Sequence, residues 1–313
     1  MKMSKEQKRA YGEMIQHKNM EQWFDNLRVA ILESKLPWQQ PWVGGSKSMP
    51  HNLVSGKPYR GGNIMQLWIT AVSMGWTDLR FATRKQLLKK GLSIEGLTND
   101  EGIQIQFYKP QKYTVENDDG EKETRRGWVT RWYTVFCVEQ CNDYVAPEVE
   151  EVEAVPESDM MAHFRDYVDS QEYLVLERKG ERAYYNSRDD VIGLPPHEIF
   201  KDSLGEVMTA FHEAVHSTGH KDRLARPLAN KFGSSEYAYE ELIAEMGQLL
   251  ITLTLGGEFQ PALVNEEHAN NHAYLKCWLK ACDDRDKMLS QAFSGAQKAA
   301  DYIMDVLMDG DEE

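Results

Sequence analysis

The stretch FHEAVHSTGHKDRL (Phe211–Leu224) contains two histidines and a glutamate at a spacing that suits metal chemistry. His212 and His216 are four residues apart, and on a helix such side chains leave neighbouring turns on the same side. The pattern H-E-x-x-H is typical of zinc sites in which two histidines bind the ion and Glu213 takes a proton from water. The alternative is a helix with solvated or core histidines, since the chain has nine of them.

A third ligand is expected on a second helix, which the apolar stripe of residues Glu236–Leu255 predicts. A zinc peptidase keeps three protein ligands and one position open for water. We predict that Glu241 completes the set and that Glu245, one turn later, accepts the free N–H of a ligating histidine. Glu240 points about 100° away around the helix and is expected to cap or pair on the surface.

Other residues near the motif leave alternatives open. Asp222 has the H-E-x-x-H-x-x-G-x-x-D spacing of a third ligand that follows a turn at Gly219. His220 and Tyr237 are predicted to contact the ligating side chains without binding the ion themselves. A position in an exposed turn explains His220 equally well. Tyr237, Tyr239 or His220 could stabilise a tetrahedral oxyanion, while ordinary packing is the simpler explanation for the tyrosines.

The net charge of −14 is unevenly distributed over the 313 residues. Residues 1–145 carry 21 Lys and Arg against 16 Asp and Glu, whereas residues 146–313 carry 15 against 34. At the junction lies APEVEEVEAVPESD (Ala146–Asp159), an acidic stretch with two prolines that is typical of an extended linker. We therefore predict two domains, residues 1–145 and 160–313, joined by a linker over residues 146–159.

The composition excludes several classes of protein. The chain is 41% hydrophobic and 10% aromatic, so it can bury a core and is not a disordered chain. No apolar run reaches the roughly 18 residues of a membrane span, and MKMSKEQKRAYGEM lacks a signal-peptide core. The spacings of the cysteines fit neither a zinc ribbon nor a disulfide framework, so we expect reduced, mostly buried thiols at Cys137, Cys141, Cys277 and Cys282. These features predict a cytoplasmic protein that does not bind membranes.

Periodicity predicts an α+β fold for the first half. One helix is expected over about residues 5–33 and another over Asn63–Trp76. Alternation in Ile103–Lys109 and Gly127–Gln140 predicts paired strands with a solvated, charged loop between them. In the second half, EYLVLERKGERAYYN (Glu172–Asn186) predicts a β-hairpin.

The second half resembles the zincin-like metallopeptidase domain of the ArdC family of antirestriction proteins. The resemblance rests on HEAVHSTGHKDRLARP and on FGSSEYAYEELIAEMGQLL, which match the family's H-E-x-x-H-x-T-G-H-x-x-R-L and Y-A-x-E-E-L-x-A-E. It implies a mainly helical zincin-like fold with one Zn²⁺ per chain. His212, His216 and Glu241 would bind this ion, and Glu213 would be the catalytic base.

The first half resembles the single-stranded-DNA-binding domain of the same family. PWQQPW, SGKPYRGGN, FATRKQL and RWYTVF look like its landmarks, and aromatic residues in a loop-rich basic region can stack on unpaired bases. From composition alone, these aromatics could equally belong to the core. The resemblance implies contacts to bases or phosphates from Trp42, Tyr59, Arg60, Asn63, Arg84 and Lys85.

These features together predict an antirestriction protein with a single-stranded-DNA-binding domain and a zinc-dependent metallopeptidase domain. It would protect incoming plasmid or phage DNA from host restriction, with single-stranded DNA and a host restriction or regulatory protein as partners. The alternative is a non-catalytic protein that coats single-stranded DNA and keeps a structural or vestigial metal site. A third interpretation is a metal-dependent regulator that cleaves one transcription factor. Glu213 favours the enzyme, because a purely structural site does not need it.

Overall fold

The computed structural model describes residues 49–116, 122–146, 156–228, 234–255 and 285–309, together with isolated positions before residue 26. The helix predicted over residues 5–33 is described only at a few positions between Ala10 and Asp25, which are helical. Trp42 lies outside the described residues, as do Cys277 and Cys282. Cys137 and Cys141 are buried free thiols, as predicted.

The described residues between 49 and 146 form a four-stranded sheet with two helices. The strands are β1 (His51–Asn52), β2 (Arg80–Thr83), β3 (Ile103–Glu116) and β4 (Lys122–Cys137), and their spatial order is β1-β2-β4-β3. The helices are α1 (Gly62–Met74) and α2 (Arg84–Lys89). α1 buries the apolar stripe that predicted it, with Leu67 and Ala71 fully inaccessible. The pairing of β3 with β4 is antiparallel and confirms the predicted pair of strands.

The prediction of a charged loop between these two strands is wrong for most of the residues concerned. The ladder continues to the pair Glu116–Lys122, so Arg125 and Arg126 belong to β4. Turn-forming residues in this part of the sequence cluster in NDDG (Asn117–Gly120), with Tyr113, Thr114 and Val115 before them and Thr124 after them. Those flanking residue types suit strands, and they outweigh the charges that suggested a solvated loop.

The second half is mainly helical with a small sheet. Its helices are α3 (Glu157–Ser170), α4 (Ser203–Thr218), α5 (Ser235–Thr254) and α6 (Arg285–Asp309), and its strands are β5 (Val175–Arg178), β6 (Tyr184–Asn186) and β7 (Val191–Leu194). α3 begins inside the stretch that was predicted as a linker. None of the helices in the described ranges combines the length and the apolar character that a membrane crossing requires. The α+β class predicted from the sequence is the observed one.

The hairpin predicted over residues 172–186 is wrong, because β7 lies between β5 and β6. β7 pairs in parallel with β5 and antiparallel with β6. Ile192 and Leu194 of β7 are fully buried, and a Cβ atom on Gly193 would lie 2.3 Å from the ring of Tyr184. The most apolar of the three segments therefore takes the central position, where both of its edges are hydrogen-bonded.

α5 agrees with its predicted range, Glu236–Leu255, and crosses α4, the helix of the histidine motif, at close range. The side chain of Asp202 caps α4 by accepting from the Gly205 N–H at 2.7 Å, and the Ser234 hydroxyl caps α5 by accepting from Tyr237 N–H at 3.2 Å. A Cβ atom on Gly247 of α5 would lie 2.8 Å from the Val215 side chain of α4. The absence of a side chain at position 247 therefore sets how closely the two helices approach.

We predict that Gly247→Ala destabilises the protein although alanine is the better helix former. Helix propensity alone would raise the free energy of unfolding by about 1 kcal/mol. Overpacking against Val215 costs about 1–3 kcal/mol, so a net loss of about 1 kcal/mol is expected in urea denaturation. The control is the same change in a Val215→Ala background, where the loss should shrink. An increase in stability in the otherwise unchanged protein would contradict the close crossing.

Candidate metal centre

The imidazoles of His212 and His216 face each other on neighbouring turns of α4. Their Nε2 atoms are 3.1 Å apart, and their rings are 4.8 Å apart between centroids. Both side chains are mostly buried, with 16% and 13% of their surface exposed. Two ring nitrogens at this separation, on one rigid helix, can bind the same ion.

Glu241 of α5 brings its carboxylate to both imidazoles. Its Oε2 atom lies 3.5 Å from His212 Nε2, and its Oε1 atom lies 3.6 Å from His216 Nε2. Across the described residues, His212, His216 and Glu241 are the group whose donor atoms lie within 4.8 Å of one another. Two imidazole nitrogens and one carboxylate oxygen suit zinc and other divalent first-row metals.

Asp222, the alternative third ligand, is not a member of this group. Its side chain is 66% exposed and lies beside His220, with Oδ2 3.5 Å from the Nδ1 atom of that imidazole. His220 itself follows the end of α4 in the turn that leads to Leu224. The structure therefore brings Glu241, and not Asp222, to the pair of histidines.

The electrostatics of the pocket favour a positive charge between these side chains. Burial raises the pKa of Glu241, but the hydrogen bond with His212 and the charges of both histidines outweigh it and lower that pKa to about 2. Burial lowers the pKa of His212, and the opposing effects of Glu241, Glu245 and Glu213 raise it well above its ordinary value. A pocket that stabilises an imidazolium in this way also suits a divalent cation.

The second nitrogen of each histidine has its own carboxylate. Glu245 Oε1 lies 3.5 Å from His212 Nδ1, and Glu240 Oε1 lies 3.3 Å from His216 Nδ1. The expectation that Glu240 lies on the surface is wrong, because only 5% of this residue is exposed. A carboxylate at Nδ1 holds the ring so that Nε2 points at the other ligands.

Arg226 explains why a buried carboxylate is tolerated at position 240. Its guanidinium donates to Glu240 Oε1 at 2.7 Å and to Oε2 at 3.0 Å. It also donates to the Thr218 hydroxyl at 2.7 Å and to the Val215 carbonyl at 2.8 Å. These bonds hold the last turn of α4 against α5. Sequence reasoning missed Arg226, and its only signal was a cation shortly after the histidine motif.

A second buried arginine fixes the loop that follows α4. Arg223 donates to the Ser217 carbonyl at 2.7 Å and to Asp190 Oδ2 at 3.1 Å, and the Tyr185 hydroxyl donates to Asp190 Oδ1 at 2.6 Å. Burial raises the pKa of Asp190, but the bonds from Arg223 and Tyr185 outweigh it and hold that pKa below its usual value. The network ties the end of α4 to the small sheet.

Glu213 is a buried carboxyl that interacts with the charges of both histidines. It is 8% exposed, and burial is the largest cause that raises the pKa of its carboxyl. Glu241 and Glu245 raise this pKa further, whereas His212 and His216 lower it. A carboxylate with a raised pKa is a stronger base. Tyr237 hydrogen-bonds the Glu241 side chain, which helps to lower the pKa of that carboxyl.

The residues predicted to contact DNA fall into two groups. Tyr59 and Asn63 make internal bonds: the Tyr59 hydroxyl donates to the Phe81 carbonyl at 3.2 Å, and Asn63 donates to the Gln106 carbonyl at 2.7 Å. Arg84 donates to the Ile94 carbonyl at 3.3 Å and lies 5.1 Å above the Phe136 ring. A structural role accounts for these contacts. Arg60 and Lys85, by contrast, are exposed.

Comparison with known proteins gives the same pairing of domains. Residues 17–136 match the N-terminal domain of the anti-restriction factor ArdC, and residues 164–295 match the zincin-like metallopeptidase family. A protein of Sinorhizobium fredii, described as uncharacterized protein y4eC, is 29% identical over 88% of this chain and 87% of its own. DNA primase TraC of Escherichia coli is 29% identical over 96% of this chain, which spans only 20% of that primase.

Two similar solved structures are those of the antirestriction protein ArdC from plasmid R388. Its metal-free crystal structure matches with a TM-score of 0.67 and 27% identity over 93% of this chain and 98% of that one. Its Mn(II)-bound crystal structure matches with the same TM-score and identity over 92% of this chain and 97% of that one. The two domain matches together, and the structural match by itself, each cover most of the chain. The chain belongs to the ArdC family of antirestriction proteins.

Proposed function

We propose that this chain protects incoming plasmid or phage DNA from restriction in the cytoplasm of the host cell. Its first domain, residues 1–145, binds single-stranded DNA, and its second, residues 160–313, is a zinc-dependent peptidase. The observation that supports the enzymatic part is the approach of His212, His216 and Glu241 to within 4.8 Å of one another. The antirestriction part is supported by the likeness to ArdC of plasmid R388.

The donor set fits one Zn²⁺ per chain. His212, His216 and Glu241 would hold the ion, and a set of three protein ligands would leave room for one water. A divalent ion there supplies Lewis acidity for the attack of water on a peptide carbonyl. The crystal structure of ArdC with Mn(II) shows that the related protein takes a divalent ion.

The residues of the chain move the protons of this hydrolysis. Glu213, buried beside the histidines, takes a proton from the attacking water and returns it to the leaving amine. Glu245 and Glu240 hold the two imidazoles in orientation through their Nδ1 atoms. Tyr237 keeps the Glu241 carboxylate turned toward the histidines by its hydrogen bond.

The charge distribution supports different binding partners for the two domains. Residues 1–145 have an excess of basic side chains, whereas residues 146–313 carry 34 acidic against 15 basic ones. Phosphates are attracted to the first domain and repelled by most of the second, which leaves the peptidase domain available to a protein partner.

We predict that Glu213→Gln abolishes protection while the protein still binds zinc. Loss of a general base lowers the rate of a hydrolysis by about 10²–10⁴-fold, and Gln keeps the shape of Glu. The measurement is recovery of an unmodified plasmid delivered into a restricting host, relative to a non-restricting host. Zinc content of the purified variant is the control, and it should equal that of the wild type.

Full protection by the Glu213→Gln variant would contradict the peptidase and favour a protein that coats DNA. The same comparison on a purified restriction endonuclease, with single-stranded DNA present, separates the two outcomes biochemically. Cleavage of the endonuclease by the wild type alone supports the proposal. Cleavage by both proteins, or by neither, removes this endonuclease as a substrate of a Glu213-dependent reaction.

The third ligand is tested by a pair of matched variants. We predict that Glu241→Ala loses bound zinc, because two imidazoles alone hold the ion weakly, and that Asp222→Ala retains it. The measurement is zinc per chain after dialysis against a mild chelator. Retention of zinc in Glu241→Ala with loss in Asp222→Ala would reverse the assignment.

A further inference from the structure

A cavity of about 830 Å³ lies between the sheet of the first half and helix α6 of the second. Tyr59, Arg60 and Phe107 line it from the first half, and Lys298 and Asp301 line it from α6. Pockets of about 300–1,000 Å³ accommodate small organic ligands. One unstacked nucleotide is well within this size.

The wall of the cavity on the first half offers an aromatic surface to solvent. Phe107 of β3 is 54% exposed, and its ring packs edge-on against Tyr133 at 6.2 Å. An exposed aromatic ring that a neighbouring ring holds in place is a platform on which a base can stack. A base can reach this ring only when it is unpaired, because stacking requires its flat face.

The rim of the cavity is basic on both sides. Lys57 and Arg60 come from the first half, and Lys298 comes from α6. Lys298 is exposed and belongs to the half of the chain that is otherwise strongly acidic. Three cations face one carboxylate, that of Asp301, among the residues that line the cavity. This charge pattern complements a phosphodiester backbone.

The two halves are joined at this rim by polar contacts. Arg60 forms an ion pair with Asp301, and both side chains remain partly exposed, at 64% and 36%. The Gly61 N–H donates to Gln297 Oε1 at 3.0 Å, and Gln297 Nε2 donates to Asp301 Oδ1 at 3.0 Å. An exposed ion pair is weak, so a phosphate can displace the Asp301 carboxylate from Arg60.

We propose that this cavity holds one unpaired nucleotide of single-stranded DNA between the two domains. Its base stacks on Phe107, and its flanking phosphates contact Arg60 and Lys298. Asp301 competes with the phosphate for Arg60 and so limits the affinity. The site rests on the proposed binding of single-stranded DNA and adds to it a contribution from the peptidase domain. α6 also packs closely on α5, the helix that carries Glu241, where Gly295 meets Ile243.

The test uses the full chain and a fluorescein-labelled oligothymidine in an anisotropy titration. Lys298→Ala should weaken binding about fivefold and reduce the slope of log affinity against log salt by about 1. Asp301→Asn should tighten binding about fivefold, because Arg60 becomes free for the phosphate. Misfolding cannot produce that gain. The control is Asp305→Asn, which makes the same change of charge one turn away on α6, outside the residues that line the cavity.

The stacking contact is tested separately. Phe107→Ala should weaken binding about tenfold, whereas Tyr173→Ala, which removes an exposed aromatic residue from the second half, should leave it unchanged. A blunt-ended duplex should bind all variants alike, because its bases cannot enter the cavity. Each of these results supports the site.

Three outcomes would overturn the inference. Equal effects of Asp301→Asn and Asp305→Asn would mean that general charge, and not this rim, sets affinity. An unchanged affinity in Lys298→Ala and Phe107→Ala, with clear binding by the wild type, would place the DNA elsewhere and leave the proposed function intact. Absence of oligothymidine binding by the wild type would remove both the site and the DNA-binding part of the proposed function.

Discussion

The close crossing of α4 and α5 is the contact on which the metal centre depends. At Gly247 the helices approach until the Val215 side chain fills the space where a Cβ would lie. His216 is the next residue along α4, and Glu241 lies on the same helix as Gly247. Neither helix alone supplies three ligands, so the packing distance decides whether a carboxylate reaches the imidazoles. Arg226 then holds the crossing by bonding to Val215, Thr218 and Glu240 at once.

The buried charges around this crossing have a consequence for stability. Among the described residues, Glu213 and Glu241 are carboxylates that interact with the two imidazoles, and Arg226 donates to Glu240. Burial of the remaining acids costs free energy unless a positive charge joins them. A proton on His212 supplies part of this positive charge, and a divalent cation supplies more of it. Metal binding and folding of the second half are therefore expected to be linked.

Spacing along the chain was sufficient to predict which three side chains come together, but not which residues support them. H-E-x-x-H and the apolar stripe of α5 predict that His212, His216 and Glu241 meet. Glu240 looked like a surface residue, because helical geometry shows which way a side chain points but not what lies there. Arg226 fills that position from a loop whose path depends on the Arg223–Asp190 pair. The order β5-β7-β6 was not predicted for a similar reason. Strand pairing depends on contacts between distant parts of the chain, and the local alternation of apolar residues does not show which strands pair.

The central claim is that two imidazoles and one carboxylate bind the same ion. X-ray absorption at the zinc edge, on the protein loaded with one equivalent of Zn²⁺, reports these ligands directly. Our account predicts two histidine nitrogens at about 2.0–2.1 Å, with oxygen ligands completing a coordination number of four. A spectrum with a sulfur ligand, or with fewer than two imidazoles, would contradict it.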